Sequence, residues 1–594
     1  MKKFTLFLLF FISLTGFTNA QQIYQSRGVP ACPDYFDYKQ PDGEILTMRL
    51  YGDAVVNWGE TSDGYTVLSN NGYFEYAVLN SNYELISSNV LASNSEDRTT
   101  EEKNLIGKLE KGLRFSENQI EEKIANHDFT KKSNSAKSSK MGGFPTIGEN
   151  NLIMLLINFA DSQTTYTKTD FENYMNQQNY GTYGSFKDFY LDASYGLLNV
   201  TTTVSEWIQV PGNHDYYADN APQMVFEALV TADATIDFSQ FDNDNDLYVD
   251  GLAVIHQGPG QEATANTNDI WSHSWNLEYF YQPYQLLFDG VYVGAYTTQP
   301  EIYSGGISTI GVMCHEFGHN LGAPDFYDTN YETCGQFQGT GSWDLMAGGS
   351  WNLSGTCPAN HNMWTKIYFN WVEPTILTTP QEVILDNAYD NQVAYIINTN
   401  TENEYFLLEN RQQINFDLNI PGHGLIIYHV DENYIQSAGN SINACSHQGM
   451  YPLALGNINS ATCPFPGAAI QTDFNDFSNP NSLSWAEVAT KKPLSGISEN
   501  EGIITFDFTG GLNNPANFNA LTVNEGFDIE ITWELNQNSN PVLIAYSLNY
   551  NNLGTPIDGT IYNVGDNLPD GGEVLYYGTD IQQILHNSLQ QSAT

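Results

Sequence analysis

The chain has 594 residues, too many for one hydrophobic core, so we expect several domains. Its 69 acidic and 21 basic side chains give a formal net charge of −48 at pH 7. A surface this acidic would repel nucleic acid and anionic membranes, which argues against both as partners. Fifteen of the basic side chains lie within residues 1–140, so the rest of the chain carries almost no positive charge.

Residues 1–20 have the pattern of a secretory signal peptide. Lys2 and Lys3 precede an apolar run, and Thr18-Asn19-Ala20 offers a small-residue cleavage site. The apolar run is too short to span a bilayer, and no later segment is apolar enough to do so. We therefore expect a secreted, extracellular protein without a membrane span.

Residues 21–140 are predicted to form a small β-rich unit followed by a linker. Short runs such as GEILTMRLYGDAVVNW and GYTVLSNNGYFEYAVL are separated by Asn-Gly and Ser-Asn turns, which is typical of strands. The following stretch, EEKIANHDFTKKSNSAKSSKMGG, is polar and rich in Lys and Ser and has no apolar periodicity. It predicts an exposed linker, the kind of segment in which proteolysis concentrates.

Residues 141–374 are predicted to form an α/β domain. LIMLLINFAD is a continuous apolar run, which indicates a strand buried on both faces. Helical spacing in TKTDFENYMNQQ, GSFKDFYLDAS and APQMVFEALVTADATI alternates with the strand-like NVTTTVSEWIQV. Such alternation of strands and helices favours an α/β architecture.

Two further β-rich regions are expected after this domain. Residues 375–510 contain short strand-like runs such as EYFLLENRQQ and GLIIYHVD. After the linker GGLNNPANF, residues 511–594 resemble a β-sandwich of the fibronectin type III kind. No closing strand is obvious in this sequence, so we expect the sandwich to be truncated.

A zinc-binding pattern, H-E-x-x-H, begins at His315. On a helix, His315 and His319 lie one turn apart on the same face, so both imidazoles can reach one zinc ion. Glu316 lies beside them and can act as general base on the metal-bound water. The pattern therefore predicts metal-assisted hydrolysis.

The pattern continues as H-E-x-x-H-x-x-G-x-x-D. Gly322 ends the helix and permits a sharp turn, and Asp325 lies ten residues after His315, where metzincins place their third ligand. A carboxylate oxygen is an adequate zinc ligand. Two alternatives stay open, since Asp325 could be a turn residue after Pro324 and Asp328 is a rival ligand.

A second cluster of carboxylates is predicted to bind calcium. Asp242, Asp244, Asp246 and Asp250 occupy loop positions one, three, five and nine, a spacing that wraps oxygen ligands around a hard cation. The loop lacks the bidentate Glu of an EF-hand, so a calcium site here belongs to another fold. The alternative is an acidic, solvated turn.

Six cysteines are present, and export to an oxidising compartment permits disulfides. Proximity in sequence favours the pairs Cys334–Cys357 and Cys445–Cys463, although six cysteines allow fifteen connectivities. Cys32 in VPACPDY could instead supply a thiolate that caps a zinc ion, but a lone cysteine is weak evidence for such a switch.

Three segments, HEFGHNLGAPDFYD, GSWDLMAGGSW and DFSQFDNDNDLYVDG, resemble the immune inhibitor A family of secreted metallopeptidases. The similarity covers about residues 30–510 and includes a propeptide-like N-terminal stretch. It implies a secreted zinc endopeptidase of metzincin type with a removable prodomain. It also implies His315, His319 and Asp325 as ligands and Glu316 as base.

The resemblance further implies that Met346 is the methionine of the turn beneath the metal site. One departure is that Gly348 stands where several metzincins have a Tyr, so no group is assigned to stabilise the oxyanion. The expected architecture is multidomain: a β-rich prodomain, an α/β metzincin-like zinc peptidase domain, and C-terminal β-rich and β-sandwich domains.

The leading functional hypothesis is a latent zymogen that hydrolyses protein or peptide substrates with zinc, stabilised by calcium. An activating protease, or the enzyme itself, would cut near the lysines of residues 131–140. The alternative is a calcium-stabilised secreted adhesin that carries an inactive protease domain. The intact Glu316 argues against the adhesin, because an inactive scaffold does not need that base.

Overall fold

The computed structural model describes residues 28–127, 143–331, 334–510, 516–524, 528–535, 541–547, 560–569 and 571–587, with Gly554 and Pro556. The predicted signal peptide, residues 1–20, and the lysines of 131–140 lie outside these residues. Within the described part of the chain, no helix combines the length and the apolar character needed to cross a bilayer.

The N-terminal unit is a six-stranded antiparallel sheet whose strands follow one another in chain order. Its strands are β1 (Phe36–Lys39), β2 (Ile45–Gly52), β3 (Asn57–Thr61), β4 (Thr66–Asn70), β5 (Tyr73–Leu79) and β6 (Leu85–Leu91). Alternate residues of β2, Leu46, Met48 and Leu50, point into the core, as the period of a half-buried strand requires. Two helices follow, α1 (Thr100–Ile106) and α2 (Glu117–His127).

The second unit is built on a mixed sheet of which four strands are parallel. Its strands are β7 (Gly148–Asn158), β8 (Leu198–Gln209), β9 (Leu252–Pro259), β10 (His273–Asn276), β13 (Ala295–Tyr303) and β14 (Gly306–Ile307), beside the hairpin β11 (Leu287–Phe288) and β12 (Val291–Tyr292). The order is β10-β13-β9-β7-β8, and β10 is an antiparallel edge strand. Residues 152–157 of β7 have no exposed surface, so the apolar run is buried on both faces as predicted.

Helices cover both faces of this sheet. They are α3 (Lys168–Asn176), α4 (Phe186–Ala193), α5 (His214–Ala218), α6 (Ala221–Ala232), α7 (Gln261–Thr264), α8 (Ile310–Asn320) and α9 (Met363–Tyr368). Short 3-10 turns occupy Phe238–Phe241, Leu277–Tyr279, Pro283–Gln285, Gly341–Trp343 and Gly348–Trp351. Both α3 and α4 begin with capping boxes, in which a Ser or Thr hydroxyl and a downstream Asp satisfy the first free N–H groups.

A β-rich region follows and shares a core with the second unit. Its elements are β15 (Thr375–Ile376), β16 (Gln381–Leu385), β17 (Tyr395–Asn398), β18 (Glu404–Arg411), a 3-10 turn (Asn415–Asn419), β19 (Gly424–Asp431), α10 (Glu432–Ala438), β20 (Met450–Pro452), β21 (Leu494–Asn500) and β22 (Ile503–Phe508). One sheet has the order β15-β17-β18-β19-β20, and the other is β16-β22-β21. Leu407 and Ile426 of the larger sheet belong to the same buried cluster as Leu152 of β7 and Phe317 of α8.

The described residues of the last unit contain the strands β23 (Ala516–Val523), β24 (Asp528–Glu534), β25 (Val542–Tyr546), β26 (Glu573–Gly578) and β27 (Gln583–Asn587). They form a three-stranded sheet, β23-β24-β27, and a two-stranded sheet, β25-β26. Trp533 and Val542 bury the two sheets against each other. The fibronectin type III assignment stays a prediction.

The disulfide pairing predicted from sequence proximity is wrong. Cys334 is bonded to Cys445, 111 residues away, while Cys357 and Cys463 are free and buried. Proximity in sequence failed here because the fold places the loop after α10 against the loop around Cys334. The bond therefore links the β-rich region to the second unit.

Candidate metal centre

The helix α8 carries the H-E-x-x-H pattern and has no exposed residue. Met313 and Phe317 pack into the large shared core, and Cys314 is a small buried side chain, as expected from its position. Gly322, with a φ of 97°, follows the helix and turns the chain back toward it. The helix is thus fixed by packing on every side, which holds its polar side chains in one orientation.

Three side-chain atoms converge at the end of α8. The Nε2 atoms of His315 and His319 lie 3.2 and 3.3 Å from Oδ1 of Asp325. All three residues are fully buried, and none of these three atoms makes a hydrogen bond. The structure therefore brings the predicted ligand set together within 4.8 Å.

Hydrogen bonds fix the orientation of both imidazoles. The Nδ1 atom of His315 lies 2.8 Å from the carbonyl oxygen of Leu345, and that of His319 lies 2.8 Å from the carbonyl oxygen of Ala323. A carbonyl only accepts, so each Nδ1 must carry the proton and each Nε2 presents its lone pair. This is the arrangement that metal-ligating histidines use.

Asp325 is buried beside two imidazoles that influence its protonation. Desolvation alone would raise the pKa of its carboxyl group, but His319 and His315, when their rings are protonated, lower that pKa below its ordinary value. Its second oxygen, Oδ2, accepts a hydrogen bond of 2.6 Å from Nδ2 of Asn440. The carboxylate therefore has one oxygen held by the protein and the other facing the imidazoles.

Glu316 lies next to the ligands on α8 and is also fully buried. The pKa of its carboxyl group is raised to about 8, mainly by burial. His315 lowers this pKa, and the negative charge of Asp325 raises it further. The backbone N–H of Val29 also lowers that pKa, yet neither carboxylate oxygen has a partner in hydrogen-bond geometry. A carboxylate in this setting is a strong proton acceptor once it is ionised.

Met346 lies directly beneath α8. A Cβ atom added to Gly318 would lie 2.5 Å from the Met346 sulfur, so only glycine allows this approach. The turn that carries Met346 is held by Asp344, whose Oδ1 accepts hydrogen bonds from the backbone N–H groups of Met346 and Asn362. The predicted methionine is therefore placed under the ligand helix.

The rival ligand Asp328 and two further histidines, His273 and His361, do not join this group. Asp328 accepts hydrogen bonds from the backbone of Asn330 and Phe337, so its carboxylate shapes a loop. His273 bonds through its two ring nitrogens to Trp271 and Tyr296, and His361 lies among the rings of four aromatic residues. Both histidines are buried; the ring nitrogens of His273 are both bonded, whereas neither ring nitrogen of His361 has a hydrogen-bond partner among the described residues.

The acidic loop brings its four carboxylates within 4.8 Å of one another. Asp242, Asp244 and Asp246 are at least partly exposed, whereas Asp250 is fully buried and its Oδ1 has no hydrogen-bond partner. The pKa of Asp250 is raised to about 7, mainly by burial. The negative charges of Asp244 and Asp242 contribute to this rise. A cation is the group that would let such a carboxylate ionise.

A segment that no sequence motif predicted, residues 28–34, lies beside Glu316, and we term it the N-terminal strap. Tyr327, Trp271 and Trp351 donate hydrogen bonds of 2.9, 2.9 and 2.7 Å to its first three carbonyl oxygens. Val29 is fully buried against Val312 and Trp351. These contacts join positions more than 240 residues apart, so no local pattern predicts them.

Cys32 belongs to this strap but does not face the ligand atoms. Its thiol lies 3.3 Å from the Tyr303 hydroxyl, and its N–H donates a hydrogen bond of 2.9 Å to the carbonyl of Glu262. Burial raises the pKa of the thiol, which disfavours a thiolate. The geometry therefore does not favour a cysteine switch.

Comparison with known proteins agrees with this geometry. Residues 146–372 match the family model described as Immune inhibitor A peptidase M6, catalytic domain. Immune inhibitor A of Bacillus thuringiensis subsp. alesti is 34% identical over 227 residues, which cover 31% of this chain and 31% of that protein. The pre-pro-metalloprotease PrtV of Vibrio cholerae serotype O1 is 29% identical over 245 residues, covering 34% of this chain and 24% of PrtV.

The matched segments thus span about a third or less of these relatives' length. The match to the family model, residues 146–372, begins after the N-terminal unit, ends near the start of the β-rich region and contains α8, Asp325 and Met346. The predicted resemblance to the immune inhibitor A family is confirmed for residues 146–372, which match its peptidase M6 catalytic domain and support a metallopeptidase.

Proposed function

We propose that the protein is a secreted zinc-dependent endopeptidase of metzincin type, made as a latent precursor and active on protein substrates. The observation that carries this proposal is the convergence of three buried, unpartnered ligand atoms beside a buried carboxylate without a partner. The printed names of the relatives, which include a metalloprotease, agree with it.

The ligand set fits zinc. Two neutral imidazoles and one carboxylate are donors that zinc accepts, and three protein ligands leave one position open, as catalytic zinc sites do. His315, His319 and Asp325 would hold the ion. When bound, zinc polarises the scissile carbonyl and lowers the pKa of water at the site.

Glu316 is the proposed general base. Its carboxylate is adjacent to the ligands and has no competing hydrogen-bond donor. It would accept a proton from the attacking water at one oxygen and then deliver that proton to the leaving amine. The buried surroundings keep bulk water away from this transfer, which strengthens the electrostatic contribution of each group.

The N-terminal strap supports latency. Val29 fills a pocket formed by Val312 of α8 and Trp351, and its N–H faces the Glu316 carboxylate. A substrate that is to reach Glu316 must therefore displace the strap. We assign residues 21–140 as a removable prodomain, and "Pre-pro" in the name of the PrtV relative agrees with a precursor. The Cys334–Cys445 disulfide favours an oxidising, extracellular location.

The acidic loop is proposed as a calcium site. Four carboxylates within 4.8 Å would repel one another, and the buried, unpartnered Oδ1 of Asp250 lacks the stabilisation that a cation gives. Asp242 already fixes the loop through bonds to the N–H groups of Asp246 and Leu247. The loop is thus shaped before an ion binds.

The ligand assignment is tested by comparing two neighbouring aspartates. Mutation of a residue that only supports the ligands typically lowers metal affinity roughly 10- to 100-fold. Asp325→Ala removes a ligand itself and should therefore lower zinc affinity by more than this. Asp328→Asn should bind zinc like the wild type, because its carboxamide oxygen can still accept the hydrogen bonds from the Asn330 and Tyr331 N–H groups and only the bond from Phe337 is lost. Metal analysis of the purified proteins is the measurement, and the reverse ranking would move the third ligand to Asp328.

The base is tested with Glu316→Gln, which keeps the size of the side chain and removes its proton acceptor. Casein hydrolysis by the activated enzyme should fall about 100- to 10,000-fold, while zinc content stays unchanged. Glu172→Gln, an exposed change on α3, is the matched control and should keep full activity. Turnover within tenfold of the wild type would overturn the assignment, and an inactive wild type would favour the adhesin.

The calcium site is tested by thermal unfolding with zinc kept saturating. Calcium removal should lower the wild-type melting temperature by roughly 5 °C, which corresponds to about 2 kcal/mol in a domain of this size. Asp244→Asn/Asp246→Asn should lose this response, and Asp215→Asn/Asp219→Asn, which changes two exposed carboxylates elsewhere, should keep it. A wild type insensitive to calcium would leave the loop a plain acidic turn.

Latency is tested on the full-length protein. It should be inactive until cleavage after a lysine in residues 131–140, and N-terminal sequencing of the active form should identify that cut. Uncut Val29→Asp should show at least about tenfold more activity than the uncut wild type, because a carboxylate in this apolar pocket is costly.

Ile45→Asp, an exposed change in the same unit, should leave latency intact. An active enzyme that still begins near Gln21 would show that this unit is a permanent domain.

A further inference from the structure

We propose that Asn440 is a positioning residue of the metal centre, because it sets the rotation of the third ligand, Asp325. This inference rests on the proposed zinc site. Asn440 lies two residues after α10, outside the matched segment 146–372 and in the β-rich region. The centre would then be completed by a part of the chain that follows the peptidase domain.

The carboxamide of Asn440 contacts Asp325 at two points. Its Nδ2 donates a hydrogen bond of 2.6 Å to Oδ2 of Asp325, and its Oδ1 accepts one of 2.8 Å from the Asp325 backbone N–H. The bond from the Asp325 backbone fixes the carboxamide relative to this residue, and the bond to Oδ2 then restrains the rotation of the carboxylate. With Oδ2 held in this way, Oδ1 is the oxygen that faces the two imidazoles.

The chemical character of Asn440 is part of the argument. Only a side chain with one donor and one acceptor can satisfy both an N–H group and a carboxylate oxygen at the same residue. An aspartate at this position would keep the acceptor and place a second negative charge against Oδ2. An alanine would remove both bonds and leave a buried carboxylate oxygen without its partner.

The segment that carries Asn440 is itself fastened to the loop after Asp325. The Thr329 hydroxyl donates a hydrogen bond of 2.9 Å to the Asn440 carbonyl, and Asn443 donates one of 2.8 Å to the carbonyl of Phe326. The disulfide Cys334–Cys445 closes the far end of the contact. The carboxamide is therefore held in place before any ligand binds, which is what a second layer of contacts contributes to a metal site.

A purely structural role, docking one loop on the other, is the competing explanation. Asn443 provides a matched control, since it is an asparagine in the same segment that bonds to Phe326 without contacting Asp325. Loss of Asn443 should disturb docking and lower stability, and loss of Asn440 should change the metal centre. The two explanations thus differ in which measurement each variant affects.

The experiment uses the full chain and measures zinc affinity by chelator competition, the absorption spectrum of the cobalt-substituted protein, and the melting temperature of the metal-free protein. Asn440→Ala and the isosteric Asn440→Asp should each bind zinc about 10- to 100-fold more weakly and should alter the cobalt spectrum. Asn443→Ala should lower the melting temperature while zinc affinity stays within about twofold of the wild type, the precision of such a competition.

Wild-type affinity and an unchanged cobalt spectrum in both Asn440 variants would overturn the inference alone. Equal loss of zinc affinity in Asn443→Ala would also overturn it, because docking would then explain the effect. A wild-type protein that binds no zinc would overturn the proposed function, and this inference with it. The use of two Asn440 variants keeps the test decisive if Asn440→Ala fails to fold.

Discussion

Burial of the ionisable groups at the end of α8 is the constraint on which the surrounding structure depends. His315, Glu316, His319 and Asp325 have no exposed surface, although each can carry a charge. Removing such groups from water is costly unless every remaining polar atom is directed to a partner or a ligand. The backbone carbonyls that accept from each Nδ1, and the carboxamide of Asn440, satisfy this requirement on the protein side.

The same requirement explains why the β-rich region shares a core with the peptidase domain. Arg411 of β18 forms two hydrogen bonds with Asp417, and both side chains are buried. Asp417 accepts a hydrogen bond from the backbone N–H of Asn360, whose carbonyl in turn accepts one from Leu345. The Leu345 carbonyl orients His315. A chain of contacts therefore runs from a buried ion pair of the β-rich region to one ligand.

The local parts of the site could be predicted because their geometry follows from spacing along one element. His315, Glu316 and His319 need only a helix, and Asp325 needs only the turn that Gly322 begins. The acidic loop is likewise contiguous, and β7 was recognisable because a strand buried on both faces must be continuously apolar. In each case the prediction used residues within about a dozen positions, the range in which secondary structure fixes side-chain direction.

The contacts that the sequence did not reveal all join distant positions. Asn440 and Asp325 are separated by 115 residues, and the disulfide partners by 111. The close-pair disulfide prediction failed because chain proximity says little about which loops a sheet brings together. The burial of Glu409 and Arg411 was not predicted either. Charged side chains at strand ends are usually solvated, and only the shared core shows that these two are buried.

Opposite charge would help to dock the basic N-terminal unit on the acidic rest of the chain, but exposed ion pairs contribute little and packing must carry most of the affinity. Arg49 and Arg98 pair with Glu60 and Asp63 inside that unit. The strap is held instead by neutral hydrogen bonds from aromatic side chains to its carbonyl oxygens and by the burial of Val29. Salt screens exposed ion pairs and has little effect on buried apolar contacts or neutral hydrogen bonds. We expect a strap held in this way to stay in place at high ionic strength, so the proposed activation would depend on cleavage of the chain.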